Sequence, residues 1–425
     1  MTQQRECAAA FFRMPPAPCR PLNSTAPPPM AASFTISVNK IIGDRAPDNA
    51  ASKPHHVLSK TGAFSRFRNT HASWNRKMDG SVIPVFFKVA ALVFKGKLKF
   101  PDASPPTVVV RKPTFLSSRR GASSNLRATW LGHACYYVEF PSGLRVLFDP
   151  VFEDTCAPLS FLGPKRFTER PCSISEIPIV DAVVISHSHY DHLSAPSVYE
   201  IQKHHPNAHF FVGLGLEKWF RKSGIDKVTE LDWWEDADVT LTPNSSAGAK
   251  SAPITARFSC LPAQHSSGRT GFDKDTTLWC SWGVSSGTTP ETTKSVFFGG
   301  DTGYRAVPES IEGDDYAPEH ADLPVCPEFK QIGALRGPFD LGLIPIGAYS
   351  PRFIMSSVHA NPFDAVEIFR DTQCKRAMGI HWGTWVLTFE EVMEPPRLLR
   401  EALGRRGIEE TGVFDVCDIG ESRDF

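Results

Sequence analysis

Residues 186–192 constrain the fold of this chain more than any other segment. They place four potential metal ligands within six positions: His187, His189, Asp191 and His192. The β-branched stretch 180–185 directly before them is typical of a buried strand. Because side chains alternate along a strand, histidines two positions apart point to the same side. Imidazole and carboxylate together suit zinc and similar metals, so the segment predicts a two-metal hydrolytic centre rather than a histidine-rich surface loop.

Three further potential ligands stand in the same setting, each shortly after an apolar stretch: His265, Asp301 and His381. Glycines on both sides of Asp301 allow the backbone to turn sharply and approach a metal closely. A single histidine after a strand is more often structural. The order HxHxDH, His, Asp, His at four strand ends nevertheless predicts that all seven side chains belong to one site.

Longer motifs accompany these ligands: TWLGHA at 129–134, GPKRF at 163–167, ELDWWE at 230–235, GDTGY at 300–304, GPFDL at 337–341, IPIGAY at 344–349, HWGT at 381–384 and ESR at 421–423. The ligand order resembles the metallo-β-lactamase superfamily. From about residue 127 onward the motifs resemble one branch of it, the N-acylphosphatidylethanolamine-hydrolysing phospholipase D family. The resemblance implies an α/β fold, the αββα sandwich, in which two packed mixed sheets carry helices on their outer faces.

The resemblance also implies the metal ligands. One zinc would be held by His187, His189 and His265. A second would be held by Asp191, His192 and His381, and Asp301 would bridge the two ions. Each zinc then has four protein ligands, and two such metals can clamp a phosphodiester and activate the water between them.

The implied reaction is the hydrolysis of N-acylphosphatidylethanolamine to N-acylethanolamine and phosphatidic acid. Asp301, Asp191 and His359 are the predicted catalytic residues. Two alternatives stay open at this point, because one metal centre can serve several substrates. One is a hydrolase of a soluble ester, lactone or phosphodiester, and the other is a lipid-binding scaffold without turnover.

Three residues beside the ligands have two interpretations each. The resemblance places His359 near the scissile phosphate, where it would orient the substrate or protonate the leaving alkoxide; the alternative is a histidine at a helix start with no catalytic part. Tyr190 is a candidate for binding substrate, and packing explains it equally well. His133 is predicted to make a structural hydrogen bond rather than to bind metal.

Composition divides the chain into three regions. Residues 1–62 are proline-rich and poor in large apolar residues, which predicts a disordered region with a targeting role. Its arginines give a weak resemblance to a mitochondrial transit peptide, and no signal-peptide core is present, so we expect an intracellular protein without assigning the organelle. Residues 63–120 form a basic and apolar extension. Residues 121–425 form the catalytic domain, with insertions near 242–252 and 305–335.

The extension contains the apolar stretch 82–94, which is followed by Lys95, Lys97 and Lys99. Thirteen residues are too few to span a bilayer. They can instead lie on an anionic lipid surface, or pack on the core as an ordinary amphipathic helix. The expected partners are therefore a phospholipid substrate and a peripheral membrane surface. The resemblance suggests a homodimer, and the net charge of zero gives no indication of nucleic-acid binding.

Hydrophobic patterns predict strands near 127–140, 144–149, 180–186, 208–213, 255–261, 277–284, 295–299, 341–345, 376–380 and 412–418. They predict helices near 195–205, 215–223, 362–371 and 395–406.

Overall fold

Strands supply most of the regular structure in the computed structural model, which describes residues 34–75, 79, 83–105, 107–119, 124–158, 163–244, 252–270, 272–311 and 313–425. The strands are β1 (Phe34–Ile42), β2 (His56–Leu58), β3 (Phe64–Phe67), β4 (Arg127–Gly132), β5 (Cys135–Glu139), β6 (Arg145–Phe148), β7 (Ala182–Val184), β8 (His209–Gly213), β9 (Val228–Leu231), β10 (Glu235–Pro243), β11 (Ile254–Leu261), β12 (Ser281–Ser286), β13 (Lys294–Phe298), β14 (Phe339–Pro345), β15 (Cys374–Ile380), β16 (Phe414–Asp415) and β17 (Ser422–Asp424). The helices are α1 (Ile83–Phe94), α2 (Ala195–His204), α3 (Glu217–Lys222), α4 (Glu328–Arg336), α5 (Arg352–Met355), α6 (Pro362–Asp371) and α7 (Glu394–Arg405).

The strands form two large mixed sheets and one small hairpin. The order is β1-β10-β11-β12-β13-β14-β15-β16 in the first sheet and β17-β4-β5-β6-β7-β8-β9 in the second. Strands β13 to β16 run parallel, as do β6 to β9, and the other pairs are antiparallel. Parallel neighbours end at the same edge, so residues that follow them come together there.

The sheets face each other across an apolar core. Phe211 of β8 stacks on Phe258 of β11 with ring centroids 4.0 Å apart, which joins the two sheets directly. Its neighbours Phe210 and Val212 point the opposite way, into a second core beneath α2 and α3. This alternation is what a strand buried on both faces requires. Helices α4, α6 and α7 cover the outer face of the other sheet, so the predicted αββα sandwich is confirmed.

The prediction of disorder over residues 1–62 is wrong from Phe34 onward. Strand β1 pairs with β10 along its whole length, from Phe34 opposite Pro243 to Ile42 opposite Glu235. Phe34, Ile36 and Val38 pack against the core while the residues between them are exposed. This period-two pattern marks a strand, but the prolines before it dominate the composition. Residues 1–33 lie outside the described part of the chain.

The predicted boundary at residue 62 falls inside the β2–β3 hairpin, so it does not separate two regions. The hairpin is fixed to the sandwich by the buried carboxylate of Asp232, to which His55 and His56 hydrogen-bond at 2.7 and 2.8 Å. Lys53 makes an ion pair with the same carboxylate at 2.8 Å. The chain then continues past Asn69, whose side-chain amide donates to the carbonyl of His265 at 2.7 Å. The N-terminal segment therefore braces a predicted ligand.

The two predicted insertions differ in structure. Strand β10 extends to Pro243, and residues 245–251 lie outside the described part of the chain. The segment 305–335 is held by ion pairs. It includes all of α4 except its last residue, and Phe329 and Ile332 of this helix are buried in the core. The carboxylate of Asp315 in this segment accepts from Arg352 at 2.7 Å. Most of the predicted insertion is thus an ordered part of the domain.

Candidate metal centre

Four strands end at one edge of the sandwich, and the residues that follow them meet there. Strand β7 of the seven-stranded sheet leads to 187–192, and β11, β13 and β15 of the eight-stranded sheet lead to His265, Asp301 and His381. The structure brings together all seven predicted ligands: His187, His189, Asp191, His192, His265, Asp301 and His381.

The first group of side chains consists of His187, His189, His265 and Asp301, whose potential ligand atoms lie within 4.8 Å of one another. His189 Nδ1 lies 2.8 Å from His187 Nε2 and 3.2 Å from His265 Nε2. Asp301 Oδ2 lies 3.7 Å from His187 Nε2 and 3.6 Å from His265 Nε2.

The second group shares Asp301 with the first. Asp301 Oδ2 lies 3.1 Å from His192 Nε2, and Asp301 Oδ1 lies 3.0 Å from His381 Nε2. Asp191 Oδ2 is 3.5 Å from His192 Nε2 and 3.4 Å from His381 Nε2. One carboxylate therefore stands between two sets of three side chains.

These separations fit two metal ions. Tetrahedral ligands about 2.0–2.1 Å from a zinc ion lie roughly 3.3 Å from one another. Both groups have spacings close to that value. In addition, His192 Nε2, His381 Nε2 and Asp301 Oδ1 are buried without a hydrogen-bond partner. Buried polar atoms are normally satisfied, so these three are positioned for something other than hydrogen bonding within the protein.

The backbone before Asp301 can be built only with glycine. Gly300 has a φ of +55°, and a Cβ there would lie 2.6 Å from the Cβ of Ser186. The turn after β13 therefore packs directly on the turn after β7, which brings Asp301 to the histidine loop. His381 also lies in the left-handed region, with a φ of +64°. Non-glycine residues rarely adopt that conformation outside functional or tightly constrained positions.

Hydrogen bonds on the outer side of the site orient three imidazoles. His265 Nδ1 donates to the carbonyl of Val358 at 2.8 Å, which leaves its Nε2 unprotonated toward the centre when the ring is neutral. His192 Nδ1 lies 2.6 Å from Asp149 Oδ2, and the Ser186 hydroxyl donates to the same oxygen at 2.6 Å. His187 Nδ1 is 2.9 Å from that hydroxyl. Such outer partners fix the ring and the tautomer of a metal-binding histidine.

Asp149 is a functional candidate that the sequence interpretation missed. It follows β6 directly, in the same strand-end setting as the predicted ligands. Its carboxylate also accepts from the backbone N–H of Ser186 at 2.7 Å. The setting could have identified it, although its partners lie 37 and 43 residues further along the chain.

The carboxylates make the site favourable for positive charge. Burial alone would raise the pKa of Asp301, but the imidazoles of His192 and His381 hold it well below its usual range. Burial likewise opposes protonation of His381, yet the nearby carboxylates of Asp301 and Asp191 raise its pKa to about 9. A cation placed between these groups would gain the same stabilisation.

His359 faces the same centre, with its Nδ1 4.0 Å from Asp301 Oδ2. Its ring lies 5.1 Å from that of His265 and 5.0 Å from that of His381. Burial lowers the pKa of His359 to about 4, so the ring is neutral near pH 7. A neutral imidazole can donate one hydrogen bond and accept another, which favours orienting a substrate over protonating its leaving group.

Tyr190 and His133 both make contacts within the protein. The Tyr190 hydroxyl donates to the carbonyl of Arg269 at 3.1 Å, and the Tyr190 ring lies under the Arg269 guanidinium. These contacts favour the packing interpretation of Tyr190. His133 Nε2 lies 3.1 Å from Asp191 Oδ2, which is the kind of hydrogen bond predicted for it. Its Nδ1 is buried without a partner. A ring nitrogen of His133 also lies within 4.8 Å of potential ligand atoms of Asp191, His192 and His381, so His133 borders the second ligand group.

Comparison with protein families gives one match over more than half of the chain. Residues 144–382 match the family described as "Beta-lactamase superfamily domain". The match contains all seven predicted ligands.

Two relatives extend this likeness. The chain is 38% identical over 306 residues to the N-acyl-phosphatidylethanolamine-hydrolyzing phospholipase D 1 of Caenorhabditis elegans, which covers 71% of this chain and 76% of the relative. It is 32% identical over 317 residues to the mitochondrial N-acyl-phosphatidylethanolamine-hydrolyzing phospholipase D of Saccharomyces cerevisiae, covering 74% of this chain and 59% of the relative. Among solved structures, Igni18, a metallo hydrolase from the archaeon Ignicoccus hospitalis, has a TM-score of 0.45 at 19% identity, covering 71% of this chain and 98% of that one.

Proposed function

The chain belongs to the beta-lactamase superfamily and, within it, to the N-acylphosphatidylethanolamine-hydrolysing phospholipase D family, and on that basis we propose that it is a zinc-dependent phosphodiesterase. Its substrate is N-acylphosphatidylethanolamine, and its products are N-acylethanolamine and phosphatidic acid. The observation that carries this proposal is the position of Asp301, whose carboxylate oxygens lie 3.0–3.7 Å from two histidines of each set.

The ligand groups assign a role to each side chain. His187, His189 and His265 would hold one zinc, Asp191, His192 and His381 the other, and Asp301 would contact both. Bound there, two zinc ions would supply positive charge to the phosphodiester and lower the pKa of the attacking water. Asp149 and Val358 keep His192 and His265 oriented with Nε2 toward the centre. His359 would hydrogen-bond a substrate oxygen beside Asp301.

A small groove next to His381 does not by itself distinguish a lipid from a soluble substrate. Apolar side chains line it together with polar and acidic ones: Phe167, Trp385, Val386, Leu387, Val392, Thr388, Glu390 and Glu391. Its volume of about 30 Å³ is too small to hold an acyl chain. The reason to rank a phospholipid above a soluble ester or lactone is therefore the family relationship.

The α1 surface, meaning the exposed Phe87 and Phe94 with Lys95, Lys97 and Lys99, supports binding to a lipid membrane. Phe87 is 66% exposed and Phe94 is 94% exposed, and none of the described side chains of α1 is fully buried. An ordinary helix packed on the core would bury its apolar face. In the described part of the chain, no helix is long and apolar enough to cross a bilayer. We therefore propose that α1 lies on an anionic lipid surface, with its phenylalanines inserted and its lysines facing the headgroups.

Replacing both phenylalanines of the α1 surface should weaken membrane binding. We expect Phe87→Ser with Phe94→Ser to lower the partition of the protein onto phosphatidylserine-containing vesicles at least 10-fold, because each buried phenylalanine contributes about 1.5–3 kcal/mol. Co-sedimentation with vesicles measures this. The matched control is Ile42→Ser with Leu58→Ser, since these side chains are 75% and 59% exposed elsewhere. Equal binding by the α1 variant and the wild type would contradict the proposal that α1 contacts the membrane.

Location and assembly are proposals as well. The yeast relative is named as mitochondrial, and Arg5, Arg13 and Arg20 stand near the start of this chain. We propose an intracellular membrane surface, with the mitochondrion as the first compartment to examine by cell fractionation; recovery in other fractions would exclude it. The homodimer remains a prediction, and light scattering on the purified protein would decide it.

Substrate comparison tests the proposed function. Purified, metal-analysed protein should release N-acylethanolamine from N-acylphosphatidylethanolamine in mixed micelles, with about two zinc ions per chain. A soluble aryl phosphodiester in the same preparation should react much more slowly. Faster cleavage of the soluble ester would favour the soluble-substrate hydrolase. A protein that binds the micelles but turns over neither compound would favour the scaffold.

A further inference from the structure

The loop after His265 folds back over the loop that carries the other ligands. The backbone N–H of Gly268 donates to the hydroxyl of Ser188 at 3.0 Å, and the hydroxyl of Thr277 donates to that oxygen at 3.2 Å. The segment that supplies His265 therefore also contacts the start of the histidine loop. Its central side chain, Arg269, lies against that loop.

The guanidinium of Arg269 connects the two ends of the histidine loop. Its Nη1 donates to the carbonyl of Ser188 at 2.8 Å and to the carbonyl of Leu193 at 2.7 Å. Ser188 and Leu193 are buried. The ligands between these two carbonyls are His189, Asp191 and His192.

Other contacts hold Arg269 in place from its own loop. The central carbon of the guanidinium, Cζ, lies over the ring of Tyr190, 4.0 Å from the ring centroid. The carboxylate of Asp273 accepts from the backbone N–H groups of Arg269 at 3.1 Å and Thr270 at 2.7 Å. The Tyr190 hydroxyl bonds back to the carbonyl of Arg269 at 3.1 Å. Arg269 is thus held both by Tyr190 of the histidine loop and by the turn at residues 269–273, which contains no predicted ligand.

We propose that Arg269 is a positioning residue of the metal centre, which closes the loop 188–193 and so sets how tightly metal is retained. The planar guanidinium suits this position because it stacks on Tyr190 while donating to both carbonyls. Without the Arg269 guanidinium, the carbonyls of Ser188 and Leu193 lose the donor that they share. The distance between the two ends of the loop is then no longer fixed, nor are the positions of the ligands between them. This inference rests on the metal centre of the proposed function, but not on the identity of the substrate.

The rate of metal loss tests this role directly. In the zinc-loaded protein, Arg269→Met should release zinc to a chromophoric chelator about 10–100-fold faster than the wild type, which is the range by which losing contacts around a metal site typically weakens metal affinity. Arg269→Lys should release zinc at a rate between those of the wild type and Arg269→Met, because an ammonium group keeps the positive charge but lacks the planar shape that packs on the Tyr190 ring. The matched control is Arg221→Met, since Arg221 makes exposed ion pairs with Glu217 on α3 and with Asp226 just after it.

A purely structural role would lower the melting temperature of Arg269→Met and leave the release rate at 25 °C unchanged, which would overturn the proposal. Should Arg269→Met not fold, Arg269→Lys decides: faster release supports the proposal, and the wild-type rate contradicts it. Cobalt substitution gives a second readout, because altered ligand spacing should shift the visible absorption of the bound ion. Neither measurement uses a substrate, so failure to hydrolyse N-acylphosphatidylethanolamine would not be confused with failure of this inference.

Discussion

Asp301→Asn should abolish turnover, lowering kcat at least 1,000-fold, while the protein remains folded. In the described part of the chain, Asp301 is the one carboxylate that lies within 3.7 Å of histidines from both ligand groups. An asparagine keeps the shape but removes the negative charge that both zinc ions would share. Stabilisation by bound metals contributes several kcal/mol to such reactions, and each 1.4 kcal/mol corresponds to a factor of ten. We also expect less than two zinc ions per chain in this variant.

The control for Asp301→Asn is Asp340→Asn. Asp340 is the second residue of β14 and lies at the opposite edge of the same sheet. Its carboxylate accepts hydrogen bonds from the backbone N–H of Ser295 at 2.9 Å and from Lys375 Nζ at 2.9 Å. Loss of the Asp340 negative charge should lower the free energy of unfolding but leave kcat near the wild-type value. Wild-type turnover by Asp301→Asn, with circular dichroism showing both variants folded, would refute a shared carboxylate.

His359→Ala should lower kcat about 100-fold with the zinc content unchanged. His359 faces Asp301 but is outside both ligand triads, so its removal would take away the proposed hydrogen bond to substrate and leave the triads intact. Removing one positioned hydrogen-bond donor from an active site typically lowers kcat about 10²–10³-fold. The measurement is kcat and KM for N-acylphosphatidylethanolamine, together with metal analysis of the same sample.

His209→Ala is the matched histidine control. His209 lies at the start of β8, hydrogen-bonded to Thr229 at 2.8 Å, and should not affect kcat. An unchanged kcat in His359→Ala would return His359 to the interpretation of a histidine at a helix start. A loss of activity that follows a loss of zinc would instead make His359 part of the ligand set.

The ligands could be predicted from sequence because four strands each have a ligand one to four residues beyond their last residue. His381 directly follows β15, and His187 and Asp301 come three residues after β7 and β13, so a local pattern contains both strand and ligand. The sheet order was not needed for this step, since strand ends that carry ligands must meet if the ligands are to act together. The resemblance then supplied the pairing of ligands between the two metals.

Residues outside that pattern were missed because their partners are distant in sequence. Arg269 bonds to carbonyls 81 and 76 residues away, and nothing in its local sequence indicates this. Strand β10 was not predicted for a related reason. Its buried Asp236 looks like a surface residue until Arg336, 100 residues later, is seen to pair with it at 3.2 Å.

Element ends were predicted less well than element positions. The predicted strand at 412–418 is only Phe414–Asp415, because it pairs with β15 at two positions. The predicted strand at 127–140 is two strands, β4 and β5, separated by a tight turn in which His133 has a φ of +51°. A positive φ at a residue other than glycine comes from tertiary contacts, and so it is hard to predict locally.

Turnover in water enriched with ¹⁸O tests the central claim most directly. Phospholipase D-type hydrolysis breaks the bond between phosphorus and the ethanolamine oxygen, and the oxygen from water joins the phosphorus. We expect one ¹⁸O atom in each phosphatidic acid and none in the N-acylethanolamine, with activity lost on chelation and restored by zinc. Label in the N-acylethanolamine, release of diacylglycerol, or turnover that survives complete removal of metal would contradict the assignment.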